Sequence, residues 1–414
     1  MSTFEAKVYK LTIEPHPNAD KLELAVVGDY RSVVGKGQFL TGDYGVYIQE
    51  GSIVPDWLIE KLGLTGKLAG SQHNRVKAMK LRGIVSQGLI VPVTSLSSRN
   101  ALVVGVEPKP TTFMGVENIT PVSSAVVVTE GQDCAELLGI TKYEPPIPVH
   151  MSGEVFNAFG FTINFDIENI KKFTDVFVEG EEVVMTEKLH GTWTCLGYHP
   201  NLPAYTVTKE TPGVLTLQAV TSRDIVTSKG LSGNGLAFKF CDANKDNLYM
   251  RSLESTKDTT GQTVIDRGTT LFNLRPFYIL GETYGKGVQD LTYGTTKPEF
   301  RVFDIYVGEP GQGQYLGYDD LIVSCKALDV QMVPIVYQGP FNKEILLEMT
   351  NGKTTGDCLK IGQSKSSVLD ENTLREGVVI KPVIERRHDL IGRVCLKSIS
   401  DAYLLRKGNV TELT

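Results

Sequence analysis

At 414 residues with a net charge of −6, the chain is too long for one ordinary core and too acidic overall for a basic nucleic-acid coat, although a local basic groove stays open. No window approaches about 18 uninterrupted apolar residues and the start, MSTFEAKVYK, has no apolar signal core, so a cytoplasmic protein without membrane spans is expected. Cys134, Cys195, Cys241, Cys325, Cys358 and Cys395 are dispersed, with no CxxC pair and no metal-ligand spacing against the six histidines, which favours reduced thiols.

From the N-terminus, short apolar runs are separated by Gly, Pro and Asp turns. The candidate strands FEAKVYKLTIE, LELAVVGDYRSVV, YGVYIQ and GLIVPV, broken by HPNAD, GKGQ, TGD and EGSIVP, suggest a small closed or nearly closed β-barrel. VPDWLIEKLG interrupts it as a helix, and GQDCAELLGI reads as a second short one. Between them, residues 106–124 carry three prolines and little periodicity. The linker KYEPPIPVHMSGE sets a boundary near residue 150 and gives domains of 1–150 and 151–414. Beyond it, strands and helices mix without a βαβ alternation, so an α+β fold with largely antiparallel sheets is expected.

Residues 183–194 read VVMTEKLHGTWT. Alternation puts Val184, Thr186 and Lys188 on one face of a strand and Val183, Met185, Glu187 and Leu189 on the other, and Gly191 breaks the run. Such a lysine is either solvated at a sheet edge or held as a nucleophile at the rim of a pocket. Downstream come VTSRD with Arg223, FYILGETYG with Glu282, FRVFDIYVG with Asp304, LREGVVIKP with Glu376 and Lys381, and GRVCLKSIS with Lys397. Each is ordinary singly. Together they put carboxylates and cations at the ends of several strands, as a cleft for a polyanion and a divalent metal requires.

The ordered set EKLHG, SR, GETYG, FRVFDIY, EGVVIK and LKSIS resembles the six collinear motifs of the covalent nucleotidyltransferases, the polynucleotide ligases and mRNA-capping guanylyltransferases. KLHGT, in place of KxDG, resembles the ATP-dependent RNA ligases. HPNADKLELAVV, KGQFLTGDYGVYI and VKAMKLRGIVSQGLIVP are similar to the OB-fold domain that precedes the ligase domain in the fifth class of RNA ligases. The resemblance spans residues 5–405.

The resemblance implies an N-terminal OB-fold β-barrel followed by an adenylyltransferase domain, with ATP and Mg2+ or Mn2+ as cofactors. Lys188 would carry AMP as a phosphoramidate, pass it to an RNA 5′-phosphate, and let a 3′-hydroxyl displace it to seal a nick. By the same resemblance Arg223 contacts the nucleotide and the RNA end, Glu282 holds the ribose hydroxyl, and Phe303 stacks on adenine. Glu376 is the metal-site glutamate, with Glu282 as a further metal carboxylate, and Lys381 and Lys397 engage the phosphates. Glu187, Leu189 and His190 belong to the nucleotide-binding stretch, and Asp304 and Asn169 are supporting positions. Attack needs the free amine, so something must depress the lysine pKa from about 10.4.

Several residues are read in more than one way. Glu376, Val378 and Ile380 share a strand face that excludes Lys381, so both ends of EGVVIK reach one site only through a twist, a bulge or an early strand end. Cys395 stands where some RNA ligases have a second lysine, and Arg393 is a substitute on the same face. His190 replaces the aspartate of KxDG, with roles in the loop, at the nucleotide or in the turn all open. Glu187 faces away from Lys188, which favours support or an adenine-edge contact. Asn169 is alternatively a cap or turn residue. Arg75, Lys77, Lys80 and Arg82 suit either RNA phosphate contacts or a solvated basic strand face.

A DNA ligase or capping enzyme is the nearest enzymatic alternative, but each would place an OB domain after the final lysine motif, where only 17 residues remain. A tRNA- or RNA-binding module without catalysis would account for the first hundred or so residues alone. The expected partner is RNA with 3′-hydroxyl and 5′-phosphate ends, bound by a monomer with no membrane association.

Overall fold

The structure, a computed structural model, describes residues 4–96, 101–106, 111–113, 116–118, 124–211, 214–354, 373–407 and 410. Cys358 and much of 106–124 therefore lie outside the described residues. The chain forms two compact units, one of Ser2–Glu144 with Ile170–Thr174 and the other of Pro145–Asn169 with Asp175–Thr414.

In the first unit a five-stranded antiparallel sheet runs in the order Ala6–Lys10, Tyr44–Ile48, Leu89–Leu96, Ala101–Val106 and Ser124–Val128. Its inward residues Val8, Val46, Val91 and Val104 pack with Leu58 and Leu138 from the two expected short helices, Asp56–Lys61 and Ala135–Leu138. Two runs read as single strands are each divided. FEAKVYKLTIE breaks at Leu11 and feeds two sheets, and LELAVVGDYRSVV is a hairpin of Leu22–Val27 and Tyr30–Gly35 turning at Gly28-Asp29. Gly28 supplies the positive φ of 57° that such a two-residue turn needs.

The second unit is built on two five-stranded sheets. One runs Glu168–Asn169, Leu396–Ile399, Gly377–Pro382, Glu182–Lys188, Ile335–Pro340, and the other Asp224–Ser228, Gly191–Tyr198, Phe277–Gly285, Pro298–Val307, Gln314–Tyr315. Glu168–Asn169 pairs parallel with Leu396–Ile399 and the other pairings in both sheets are antiparallel. The FYILG run is continuously apolar because its sheet is covered on both sides. Phe277 and Ile279 face helices Leu248–Ser255 and Val264–Leu271, while Tyr278 and Leu280 pack with Phe156, Leu202 and Tyr205. Those helices begin at side-chain caps, Asn247 accepting from Tyr249 and Met250 and Thr263 closing a capping box with Asp266. Cys134, Cys195, Cys241, Cys325 and Cys395 are free thiols. Among the described residues no helix is long and apolar enough to cross a membrane.

Candidate active site

The Lys-Leu-His-Gly turn carries the chain from one sheet to the other: Lys188 ends a strand of the first sheet and Gly191 opens a strand of the second. A side chain at Gly191 would put its Cβ 2.2 Å from the Thr283 carbonyl oxygen, and one at Gly377 would come within 2.0 Å of Ser398 O. Both positions exclude any larger residue, which ties the glycines of HG and EG to backbone approach.

Lys188 pairs with Gly377 across the antiparallel register. Its Nζ donates to Glu376 Oε1 at 2.6 Å. On the opposite face, Glu187 and Arg375 are both fully buried, with carboxylate and guanidinium 3.9 Å apart. Alternation thus sends Glu187 into the core as a supporting ion pair. Leu189 anchors the turn in a cluster with Tyr284, Tyr293 and Val333, against which Phe303 packs.

His190 is 3 % exposed. Its Nε2 lies 2.7 Å from Asp290 Oδ1 and its Nδ1 2.8 Å from the Tyr403 hydroxyl. With the carboxylate accepting from Nε2–H, Nδ1 accepts a hydrogen bond from the Tyr403 hydroxyl. Tyr293 OH accepts from the His190 backbone N–H at 2.6 Å, and Arg406 binds Asp290 at 3.0 Å while its guanidinium covers the Tyr403 ring. These contacts tie the histidine into the turn.

Charge around Lys188 is mixed. Burial alone would lower its pKa, but Glu376 and Glu282 outweigh that and hold the ammonium above its ordinary value. Burial pushes Glu282 up to about 8, with Lys188 and Lys229 pulling it down and Glu376 pushing it further up. Lys397 is pushed down to about 8 by burial and by Lys188 and Lys229, against Asp166 and Glu168. Asn169 lies beside Lys397 in the parallel register. Lys188, Glu282, Glu376 and Lys397 are thus brought together.

Lys381 and Arg393 are directed elsewhere. Lys381 Nζ reaches Asp304 Oδ2 at 3.2 Å and Phe303 O at 3.3 Å. Arg393 Nη1 binds Asp304 Oδ2 at 2.6 Å, its Nε binds Glu385 at 2.8 Å, and its guanidinium lies 3.8 Å from the Tyr315 ring centre. Glu376 lies just before the paired strand Gly377–Pro382, in whose register Lys381 stands opposite Val184, on the sheet face that Lys188 shares, and both cations bind the buried Asp304 carboxylate behind Phe303. Burial would raise the Asp304 pKa, but Arg393 and Lys381 hold it below its ordinary value. Phe303, half-buried, meets Phe165 at 5.1 Å.

Arg223 is not brought to this cluster. It is exposed, its guanidinium donates to Leu202 O, and its carbonyl accepts from His199 N–H. That is the far end of Gly191–Tyr198, seven residue steps or about 23 Å from Gly191. In the first unit, Arg75 is half-buried with its guanidinium 3.7 Å from the Tyr143 ring centre, and Lys77 is half-buried. Lys80 and Arg82 are exposed on the Met79–Leu81 hairpin and its turn. The four basic residues accordingly divide into two half-buried and two exposed.

Sequence reasoning passed over Lys229, Asp166, Asp290, Tyr403 and Arg406. Lys229 follows the capping Ser228 and pairs with Asp166 at 3.4 Å. Asp290 and Tyr403 lie 100 and 213 residues from His190, and no local pattern links them to it.

Two largely antiparallel sheets enclosing a lysine and two glutamates, with a smaller β unit ahead of them, define an α+β protein of nucleotidyltransferase type. The RNA ligase family model matches residues 181–399, and the chain belongs to that family. An OB-fold domain model matches residues 6–93. Naegleria gruberi RNA ligase with PPi is a solved structure of similar fold, 23% identical, covering 97% of this chain and 98% of that one at a TM-score of 0.68. A lysine-to-alanine variant of that enzyme with ATP and Mn matches at 23% identity, 96% and 98% coverage and a TM-score of 0.64. A glutamate-to-alanine variant with AMP and Mn matches at 23%, 97% and 98% coverage and 0.65. No curated protein sequence matches the chain.

Proposed function

We propose that this RNA ligase is ATP-dependent and acts through AMP bound covalently to Lys188. The observation that carries the reading is the Lys188–Glu376 pair at 2.6 Å, at a turn between two sheets. In the first step the Lys188 amine attacks the α-phosphorus of ATP, an N–P bond forms and pyrophosphate leaves. In the second, an oxygen of an RNA 5′-phosphate displaces Lys188 from AMP. In the third, an RNA 3′-hydroxyl attacks that 5′-phosphate, AMP leaves and the nick is sealed. All three are in-line displacements, in which positioning and charge neutralisation dominate.

Lys188 starts as an ammonium and must lose a proton to react. The carboxylates of Glu376 and Glu282 fit a divalent cation. Glu376 Oε2 is buried and takes no hydrogen bond among the described residues, lying 3.8 Å from His190 Nδ1. Among the described residues no cluster of three metal-type ligands forms, so such a cation would draw its remaining ligands from water and phosphate, as Mg2+ does. When bound, it would neutralise polyphosphate charge and remove the carboxylate stabilisation of the Lys188 ammonium. Lys397 and Lys229 supply cationic surface for phosphate, Phe303 offers a face to adenine, and the His190 network fixes the turn. Residues 1–150 form the RNA-engaging domain and 151–414 the adenylyltransferase domain.

Incubation with α-labelled ATP and Mn2+, followed by a denaturing gel, tests the reading. Label retained by the wild type and lost in Lys188→Ala supports it. Equal labelling of the folded variant refutes it.

A further inference from the structure

Tyr403 and Arg406 lie beyond LKSIS, the last of the sequence motifs, yet their side chains return to the nucleophile turn. The segment that carries them is fastened at both ends. The Ser400 N–H donates to the Glu376 carbonyl oxygen at 2.8 Å, the short helix Asp401–Leu404 follows, and the Tyr403 hydroxyl donates to His190 Nδ1 at 2.8 Å. Seven residues thus reach both the carboxylate residue that pairs with Lys188 and the histidine two positions after it. His190 Nδ1 also lies 3.8 Å from Glu376 Oε2, so the ring stands behind the Lys188–Glu376 pair.

A second arm comes from the loop between Phe277–Gly285 and Pro298–Val307. There the Gln289 amide donates to Gly191 O, the Tyr293 hydroxyl accepts from the His190 N–H at 2.6 Å, and Asp290 Oδ1 meets His190 Nε2 at 2.7 Å. Arg406 locks the two arms together. Its Nε and Nη2 bind the Asp290 carboxylate at 3.0 and 3.3 Å, and its Nη1 binds Tyr403 O at 3.0 Å. His190, Gln289, Tyr293 and Tyr403 are all buried. Leu189 already seats the turn in an apolar cluster, so burial of the turn does not require these polar arms. A buried network of paired polar groups selects one arrangement of the backbone it holds.

Selection of one arrangement matters for the chemistry proposed for Lys188. In-line attack needs the amine opposite the leaving pyrophosphate, and a displacement of about 1 Å can cost about a hundredfold in rate. We infer that residues 400–406 are a clasp on the nucleophile turn, with Tyr403, Arg406 and Asp290 as positioning residues that act on Lys188 through His190 and Glu376. The inference rests on the reading of Lys188 as the residue that takes AMP.

The test uses the full chain, α-labelled ATP and Mn2+, with single-turnover self-labelling followed across a range of ATP concentrations and melting temperatures recorded alongside. Tyr403→Phe lowers the limiting rate fivefold or more and leaves the half-saturating ATP concentration within twofold of wild type, because the clasp orients the amine and not the nucleotide. In a His190→Ala background the same change lowers the rate less than twofold, because Tyr403 then has no ring to hold. Asp290→Asn keeps an oxygen that accepts from Nε2–H and labels at least threefold faster than Asp290→Ala. Tyr403→Phe labelling within twofold of wild type overturns the clasp, and so does an equal loss in both backgrounds. If Tyr403→Phe does not fold, the Asp290 pair decides: equal rates for the asparagine and alanine variants overturn the clasp. A folded wild type that takes no label overturns the ligase reading and the clasp with it, whereas a labelled wild type with unaffected variants overturns the clasp alone.

Discussion

Asp304→Asn isolates the buried charge cluster behind Phe303. Asp304 is fully buried and accepts from Lys381 at 3.2 Å and Arg393 at 2.6 Å. Removing one partner of a buried pair costs about 3–5 kcal/mol because the remaining charge stays desolvated. Arg393 keeps Glu385 as a second partner. The unsupported charge is therefore mainly Lys381, and the loss falls near the lower end, about 3 kcal/mol. For a unit of this size that lowers the melting temperature by about 6–12 °C. Differential scanning calorimetry of the ligase-unit transition reads it, and Asp304→Asn/Lys381→Met should recover part of the loss by deleting the stranded ammonium. The pH dependence has a definite sign. The folded Asp304 pKa lies below its unfolded value, so its stabilisation is complete above about pH 4 and fades as pH falls through the folded pKa. The gap between wild type and Asp304→Asn is accordingly full at pH 7 and shrinks in acid. A variant that melts within a degree of wild type at pH 7 would show that the cluster stabilises nothing.

Glu376→Ala and Glu282→Ala should each lower self-adenylation at least tenfold at limiting Mn2+, read as labelled protein per minute; two variants labelling at the parental rate would place the metal elsewhere. His190→Ala removes a ring held by Asp290 and Tyr403 and should slow labelling while leaving ATP-independent sealing of pre-adenylated RNA slowed as well, since the turn serves every step. Reversing charge at Lys80 and Arg82 should weaken RNA binding at 50 mM salt and flatten the slope of log Kd against log salt by about one to two phosphate contacts; an unchanged slope would make the hairpin a mere edge guard.

Much of the site was legible because its chemistry is written in short strands. Lys188, Glu282 and Lys397 sit on paired strands, and Glu376 immediately precedes the strand that pairs with both Lys188 and Lys397. The period of two also foretold that Glu187 faces away from Lys188, whereas Glu376 lies before the paired strand and so escapes the alternation that would part it from Lys381. What stayed hidden were partners fixed only by tertiary folding. Arg223 immediately precedes Asp224–Ser228, beside the end of Gly191–Tyr198 away from the Lys-Leu-His-Gly turn, and motif order carries no information about which end. His190 finds Asp290, Tyr403 and Arg406 across a hundred residues or more. In the first unit, Gly-Asp between two apolar runs was a hairpin signal that the longer run concealed.

The back-to-back pairs on adjoining strands make the reading frame of one hydrogen-bond ladder a condition for both folding and reactivity. Glu187 meets Arg375 on the covered face while Lys188 meets Glu376 on the open one. Slipping either strand by one residue would turn Glu187 and Lys188 to each other's faces, so that the Glu187–Arg375 and Lys188–Glu376 pairs could no longer form together. Insertions or deletions within 183–188 or 375–380 are thus barred even where single substitutions are tolerated, and length, more than identity, is what variation in these two segments must preserve.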